Sequence, residues 1–333
     1  MPHKRELYDF AILGGCITSV TLAFLLQRAG YKVALIEQQS IGIETTGRYY
    51  TVLSENPQQV EINNYCPPAD QPYKTPYDYL EQGLKFILST AKEYHFNCDL
   101  RKLSDKDIPL NGKLLEGPVY LFNPFKYIVS LAKVVADNGA AVLENRRVLK
   151  IESQNQTHML FTSRGKVWAK NIIYTPRSSR VLTLKSSTYI PYKTYSLMAK
   201  LAGHYEETVF KIPKHTLLAH IVNADKNSCI IELQGADCKV VKGKNDEAQF
   251  EILEDFLTGN FNIDCLLVRW ATVYYKSADN SLIIGETESR GSYIVSGYNY
   301  SDPSLGTMSA LYFAEQLPEI KKAAEQLGPH MAE

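Results

Sequence analysis

The chain has no surplus of either charge. Across 333 residues, 36 Lys and Arg are matched by 36 Asp and Glu, and the pI lies near 7.0. Such a balance provides no net field to gather a polyanion, which argues against nucleic acid or an anionic membrane as the main partner. Long apolar runs are also missing, and none approaches the roughly 20 residues of a membrane span. Met1 to Glu6 is polar and charged and the first apolar run is short, so no secretory signal is read and a cytoplasmic location is expected. The six cysteines (Cys16, Cys66, Cys98, Cys229, Cys238 and Cys265) include no Cys-x-x-Cys pair. Their scatter suits reduced thiols better than a disulfide frame or a zinc centre. His215 and His220 are the closest histidine pair. They fall in a strand-like segment, where an odd spacing sends them to opposite faces, so no metal site is expected.

Apolar residues are plentiful, at 45% of the chain, enough for two cores. The segment from Tyr8 to Glu37 is the most informative. Phe10, Ala11, Ile12 and Leu13 read as a buried parallel strand, Gly14-Gly15 as a turn, and Ile17, Val20, Leu22, Ala23, Leu25 and Leu26 as the apolar side of a helix. Ala29-Gly30 stops the helix, Lys32 to Ile36 is a second strand, and Glu37 ends it. This strand–turn–helix–strand unit is the one that holds the ADP half of a dinucleotide. Backbone amides at the helix N-terminus meet the diphosphate, and an acidic side chain about 20 residues on meets the ribose. Glu37 stands 23 positions after Gly14, and a carboxylate there suits FAD or NAD better than NADP. The turn is short of glycine: Cys16 and Ser19 hold the second and third glycine places of Gly-x-Gly-x-x-Gly. If the backbone at 16 were left-handed, a side chain there would cost about 1 kcal/mol.

Beyond the unit, residues 38–76 read as loop and residues 77–93 as an amphipathic helix. Val119 to Phe122 is a strand. Asn123-Pro124 then forms an N-cap and first-turn proline for a helix reaching about Asn138. Strands are expected at 141–143, 147–152, 158–162, 166–169 and 171–174, and residues 190–235 are mostly strand. An acidic helix spans 245–257. Strands follow at 266–275, 282–285 and 293–296, then a helix at about 305–317, with helical pattern resuming after Pro318. The 22 tyrosines cluster partly near strand ends, as at Tyr49-Tyr50, Tyr274-Tyr275, Tyr298 and Tyr300.

Three further stretches stand out. One is the loop Ile41-Gly42-Ile43-Glu44-Thr45-Thr46-Gly47-Arg48, and a second is Tyr120 to Pro124 followed by a helix, Gly139-Ala140 and Val148. The third runs from Trp270 to Gly285 and aligns without gaps on a Trp-Ala-Gly-Leu-Arg-Pro…Asp…Pro-x-Ile-Gly pattern, followed by Gly297 and Gly306-Thr307. Together with Tyr8–Glu37 they make the chain resemble, along nearly its whole length, the D-amino-acid oxidase/glycine oxidase superfamily of FAD-dependent oxidoreductases.

The resemblance implies an α/β fold. A Rossmann-like, glutathione-reductase-type FAD-binding domain is assembled from discontinuous segments (1–76, 117–185 and 278–333), with an inserted antiparallel β-sheet substrate domain (77–116 and 186–277). It implies non-covalent FAD, since Thr272 stands where some amine-oxidising members attach flavin to cysteine. The implied cofactor contacts are Gly14, Gly15, Cys16, Ile17, Thr18, Glu37, Gln38, Thr45, Thr46, Gly47, Arg48, Val148, Thr175, Gly297, Gly306 and Thr307. Tyr274 and Arg48, with Tyr49 and Tyr298, fall on the substrate side. The implied reaction moves a hydride from the carbon of a C–N bond in an amine or amino-acid-like substrate to flavin N5. A partner subunit or a separate electron acceptor is compatible with it.

Departures accompany the likeness. Thr175-Pro176-Arg177 replaces the family's Ala-x-Gly, and Tyr274 takes the place of the arginine that holds a substrate carboxylate. The alternative reading is a flavin-fold binding or regulatory subunit with lost or weakened FAD binding. An NAD-dependent enzyme is a third, which the match at 270–285 argues against.

Overall fold

The computed structural model describes residues 6–43, 51–54, 76–102, 119–154, 156–176, 189–206, 208–212, 217–225, 228–241, 243, 245–277, 283–296 and 303–317. Thr45, Thr46, Gly47, Arg48, Tyr49, Gly297, Tyr298 and the stretch after Pro318 lie outside these residues.

The elements run, in chain order, β1 (Leu7–Leu13), α1 (Ile17–Arg28), β2 (Val33–Ile36), β3 (Thr51–Ser54), α2 (Pro76–Glu93), β4 (Arg101–Lys102), β5 (Val119–Phe122), α3 (Pro124–Asp137), β6 (Ala141–Leu143), β7 (Val148–Gln154), β8 (Thr157–Thr162) and β9 (Gly165–Tyr174). Then come β10 (Tyr189–Ala202), β11 (Thr208–Ile212), β12 (Leu217–Asp225), β13 (Ser228–Lys239), α4 (Glu247–Asn260), β14 (Ile263–Ser277), β15 (Ile283–Glu286), β16 (Ser292–Ser296) and α5 (Pro303–Glu315).

The larger sheet has the order β15-β16-β9-β1-β2-β6, with β8 and β7 continuing from β9. β1 is parallel to both β2 and β9, so it is buried on both faces and reads as a continuous apolar run. Its alternate residues divide two cores. Phe10 and Ile12 join α1, α2, α3 and α5 on one face, while Ala11 and Leu13 join the β7–β8 side on the other. Fully burying one such Ile or Leu contributes roughly 1.5–3 kcal/mol. α3 starts as its sequence dictates: the Asn123 side chain accepts from the Lys126 amide at 3.1 Å, and Pro124 occupies the first turn. Such a cap is worth about 1 kcal/mol.

The second sheet is antiparallel, in the order β11-β12-β13-β10-β14. Tyr195, Leu197, Ala199 and Leu201 of β10 face α4, where they pack with Phe250, Leu253 and Leu257. A small third sheet, β3-β5-β4, adds a strand at Thr51–Ser54 inside the segment read as loop. Its four residues between polar stretches carry little periodicity, and pairing with β5 is what makes them a strand. Likewise the strands expected at 166–169 and 171–174 are one, Gly165–Tyr174, because its first half pairs with β8 and its second with β1. The acidic helix begins two residues later than expected, at Glu247.

α2 packs on α5 within the same core as α1 and the larger sheet. Gly83 allows that approach, since a Cβ there would strike the Ser304 carbonyl oxygen. Residues 76–93 thus sit with the larger sheet's helical layer.

Candidate functional site

β1, β2 and β9 end level with one another, with Leu13 opposite both Ile36 and Tyr174. Their next residues, Gly14, Glu37 and Thr175, therefore meet at the carboxyl ends of three parallel strands, where open α/β sheets bind ligands. Gly14 has φ +119°, a conformation barred to other residues, and a Cβ there would sit 2.5 Å from Thr175 Oγ1. At Gly15 a Cβ would meet Glu37 Cγ at 2.9 Å and Glu37 Oε2 at 3.0 Å, so the carboxylate lies directly against the turn.

Cys16 is not left-handed. Its φ of −85° and ψ of 177° are those of an N-cap residue, so the conformational cost anticipated for a side chain here does not arise. Its thiol turns to Ser19 Oγ, 3.2 Å away, and Thr175 Oγ1, 3.9 Å away. Ser19 and Thr175 are themselves joined. The Cys16 amide donates to Ser19 Oγ at 3.2 Å, Ser19 Oγ lies 3.1 Å from Thr175 Oγ1, and Thr175 Oγ1 donates to the Leu13 carbonyl at 2.7 Å. With Thr175 donating to Leu13, Ser19 must donate to Thr175, and the relay is fully consistent. It spends the Cys16 amide. Ile17 and Thr18 begin the first turn of α1, where the helix supplies no acceptor of its own and an anion is favoured.

Glu37 is buried, and its Oε1 accepts from the Gln39 amide at 2.8 Å. Gln38 beside it is exposed. Three backbone bonds lace this corner to the strand leading to Val148: Glu37 N to Leu143 O (3.0 Å), Arg146 N to Glu37 O (2.8 Å) and Asn145 N to Gln39 O (2.8 Å). Thr18 Oγ1 donates to the Gly306 carbonyl at 2.9 Å and so ties the first turn of α1 to that of α5. The neighbouring Thr307 hydroxyl is fully buried, with no hydrogen-bond partner among the described residues. The structure therefore brings together Gly14, Gly15, Cys16, Ile17, Thr18, Glu37 and Thr175, with Gly306 and Thr307 joined to them through Thr18. This set fits a dinucleotide: a positive-φ glycine turn, a helix N-terminus, a carboxylate at ribose distance in sequence, and an orphaned hydroxyl at a second helix start.

Tyr274 stands on the inserted sheet, not in the glycine turn. It is buried, its ring lies 5.8 Å from that of Tyr192, and its hydroxyl donates to Asp237 Oδ2 at 2.6 Å. Asp237 reaches it because β13 bulges opposite β10 between Lys193 and Tyr195, with Ala236 at φ +51°.

The same sheet face holds groups that the sequence reading missed. Thr194 pairs across strands with Thr272, Ser196 with Trp270 and Gln234, and His220 with Glu232. All but Trp270 are buried. Thr194, Ser196 and Thr272 have hydroxyls without a hydrogen-bond partner among the described residues. Burying one such group without a partner costs about 1–3 kcal/mol, so this strip weakens the sheet as packed. His220 is held neutral, its pKa lowered to about 4 by burial and by the Arg101 guanidinium, against a smaller opposing pull from Asp99. A signal was available in Tyr192-x-Thr194-x-Ser196, which alternates with the apolar Tyr195, Leu197, Ala199 and Leu201 of the α4 face.

Fold and site define a two-part α/β protein with a glycine turn at the carboxyl ends of three parallel strands on one part and a buried polar sheet face on the other. Comparison with solved structures places the fold. Glycine oxidase from Geobacillus kaustophilus superposes with a TM-score of 0.68 at 16% identity, covering 95% of each chain. L-proline dehydrogenase from P. horikoshii gives 0.66 at 16% identity, over 95% of this chain and 94% of that one. The resemblance to the D-amino-acid oxidase/glycine oxidase superfamily thus holds at the level of the fold. A curated protein of Bacillus subtilis (strain 168), YhfW, provisionally named a Rieske 2Fe-2S iron-sulfur protein, is 21% identical over 320 residues. That match takes in 83% of this chain, which spans only 62% of YhfW. No family model matches. Among the described residues, no helix is long and apolar enough to cross a membrane.

Proposed function

We propose that this chain is an FAD-dependent oxidoreductase acting on the C–N bond of an amine or amino-acid-like substrate, with the cofactor held non-covalently. The observation that carries the reading is the meeting of Gly14, Gly15, Glu37 and the start of α1, tied through Thr18 to the start of α5. The fold supports it, since its neighbours are named as amino-acid oxidases and dehydrogenases.

When bound, FAD would supply a hydride acceptor at N5. The chain's own residues do the rest. The first amides of α1 would hold the diphosphate and the Glu37 carboxylate would accept from the ribose hydroxyls. Thr307 and the first turn of α5 would take the flavin ring, where a helix N-terminus favours negative charge by about 0.3–1 kcal/mol. The buried face of the second sheet would exclude water and orient the substrate C–H, with Tyr274 on that face. Arg48, Tyr49 and Tyr298 are proposed on the substrate side as well.

A visible spectrum of freshly purified protein, repeated after FAD addition and gel filtration, tests the main reading. A retained flavin spectrum is expected. Colourless protein that fails to retain FAD would sink the catalytic reading in favour of a flavin-fold binding subunit.

A further inference from the structure

Opposite charges stand apart on two elements of this chain. Between Arg146 and Lys170 there are six bases (Arg146, Arg147, Lys150, Arg164, Lys166 and Lys170) and the single acid Glu152. The stretch folds as β7, β8 and the first half of β9, whose inner face gives Ile151, Leu160 and Val167 to the core. Strand alternation sends Lys150, Phe161 and Lys166 to the outer face. They form one cross-strand row, Lys150 opposite Phe161 and Phe161 opposite Lys166. Both lysines are exposed, and their ammonium groups lie 5.9 and 4.8 Å from the centre of the half-buried Phe161 ring. Arg147 and Arg164 are exposed at the same end, where the Ser163 amide donates to the Arg147 carbonyl at 2.8 Å.

The helix α4 is the counterpart. Residues 247–260 hold Glu247, Glu251, Glu254 and Asp255 and no Lys or Arg. Phe250, Leu253 and Leu257 turn inward to β10. Glu247, Glu251 and Asp255, spaced one turn apart, are therefore an exposed stripe about 12 Å long. Arg269 engages Glu247 at 2.8 Å and Glu254 at 3.3 Å on one flank, while Glu251 and Asp255 are exposed. The lysine row spans two inter-strand spacings, about 10 Å, so stripe and row match in length as well as in sign.

We propose that the α4 stripe of one copy docks on the Lys150–Phe161–Lys166 row of a second copy. A formal net charge of zero, divided into separated patches of each sign, favours this partner because one chain carries both halves of the contact. Phe161 gives the row an apolar centre between its two charges. The inference does not depend on FAD.

Sedimentation velocity of the full chain tests it. Mass should rise with protein concentration at about 0.1 M salt, and the association constant should fall about tenfold or more at about 1 M, where the screening length shrinks from about 10 to about 3 Å. A chain that stays monomeric, or one that associates equally at both salts, overturns the proposal. Charge reversal gives a second arm. Lys150→Glu with Lys166→Glu makes both patches acidic, and Glu251→Lys with Asp255→Lys makes both basic. Each variant should be monomeric alone, and an equimolar mixture should associate as the parent does, because every contact in it again joins opposite signs. These exposed substitutions should shift stability by no more than about 0.5 kcal/mol, which melting curves check. Either variant associating alone as strongly as the parent refutes the contact, as does a mixture of well-folded variants that stays monomeric. Where a variant melts well below the parent, the salt arm decides.

Discussion

Lowering the pH from 7.5 to 5 should weaken the fold by about 2 kcal/mol through one side chain, His220. The imidazole is 3% exposed, and its pKa is lowered from 6.5 to about 4, first by desolvation and then by repulsion from Arg101, with Asp99 pulling weakly the other way. Because the folded pKa is the lower one, the unfolded chain binds the proton more tightly. The contribution is fully present above the unfolded value of 6.5 and is lost as pH falls toward 4. A shift of about 2.5 units corresponds to roughly 3 kcal/mol once pH 4 is reached, of which about 2 kcal/mol has gone by pH 5. His158, also buried and lowered mainly by desolvation, acts in the same direction. Urea unfolding at pH 7.5, 6, 5 and 4.5, for the parent chain and for His220→Gln, isolates the effect. The parent should lose stability through this window, and the variant should follow a slope shallower by close to one proton at pH 5. Parallel slopes would show that His220 is solvated or already protonated, and the buried strip opposite Glu232 would then be open to water.

Three other outcomes follow from the crevice and the helix layer. Glu37→Ala should weaken FAD binding by about 10- to 100-fold, the value of one or two hydrogen bonds to a charged acceptor; flavin fluorescence quenching measures it, and unchanged affinity counts against the ribose role. Cys16→Gly should not improve FAD affinity and should cost up to about 1 kcal/mol of stability, since φ at this position needs no glycine. A tenfold gain in affinity would instead mean that the thiol obstructs the phosphates. Gly83→Ala should destabilise by about 1–3 kcal/mol in urea, because the new methyl meets the Ser304 carbonyl and lies 3.2 Å from Met308 Cβ.

Much of the fold was legible because its signals are local. The Tyr8–Glu37 unit, Asn123-Pro124 and the apolar faces of α2 and α3 each carry a period or a cap that needs no distant partner. Thr51–Ser54 escaped because only pairing with Val119–Phe122 makes it a strand. The polar strip escaped for a related reason. Thr194, Ser196 and Thr272 look like ordinary strand residues until the register sets them on one face and burial removes their water.

The glycine turn shows most clearly what a linear pattern conceals. In sequence, Ser19 and Thr175 are two separate losses of small residues at places that a cofactor would approach. In space they are one device: Ser19 Oγ accepts from the amide of Cys16 and donates to Thr175 Oγ1, and Thr175 donates to the Leu13 carbonyl that ends β1. The two are coupled, because Ser19 Oγ takes the Cys16 amide while donating to Thr175 Oγ1. Reverting both positions together, to Ser19→Gly with Thr175→Ala, should disturb FAD binding less than Ser19→Gly alone, with non-additivity of about 1 kcal/mol as the measure.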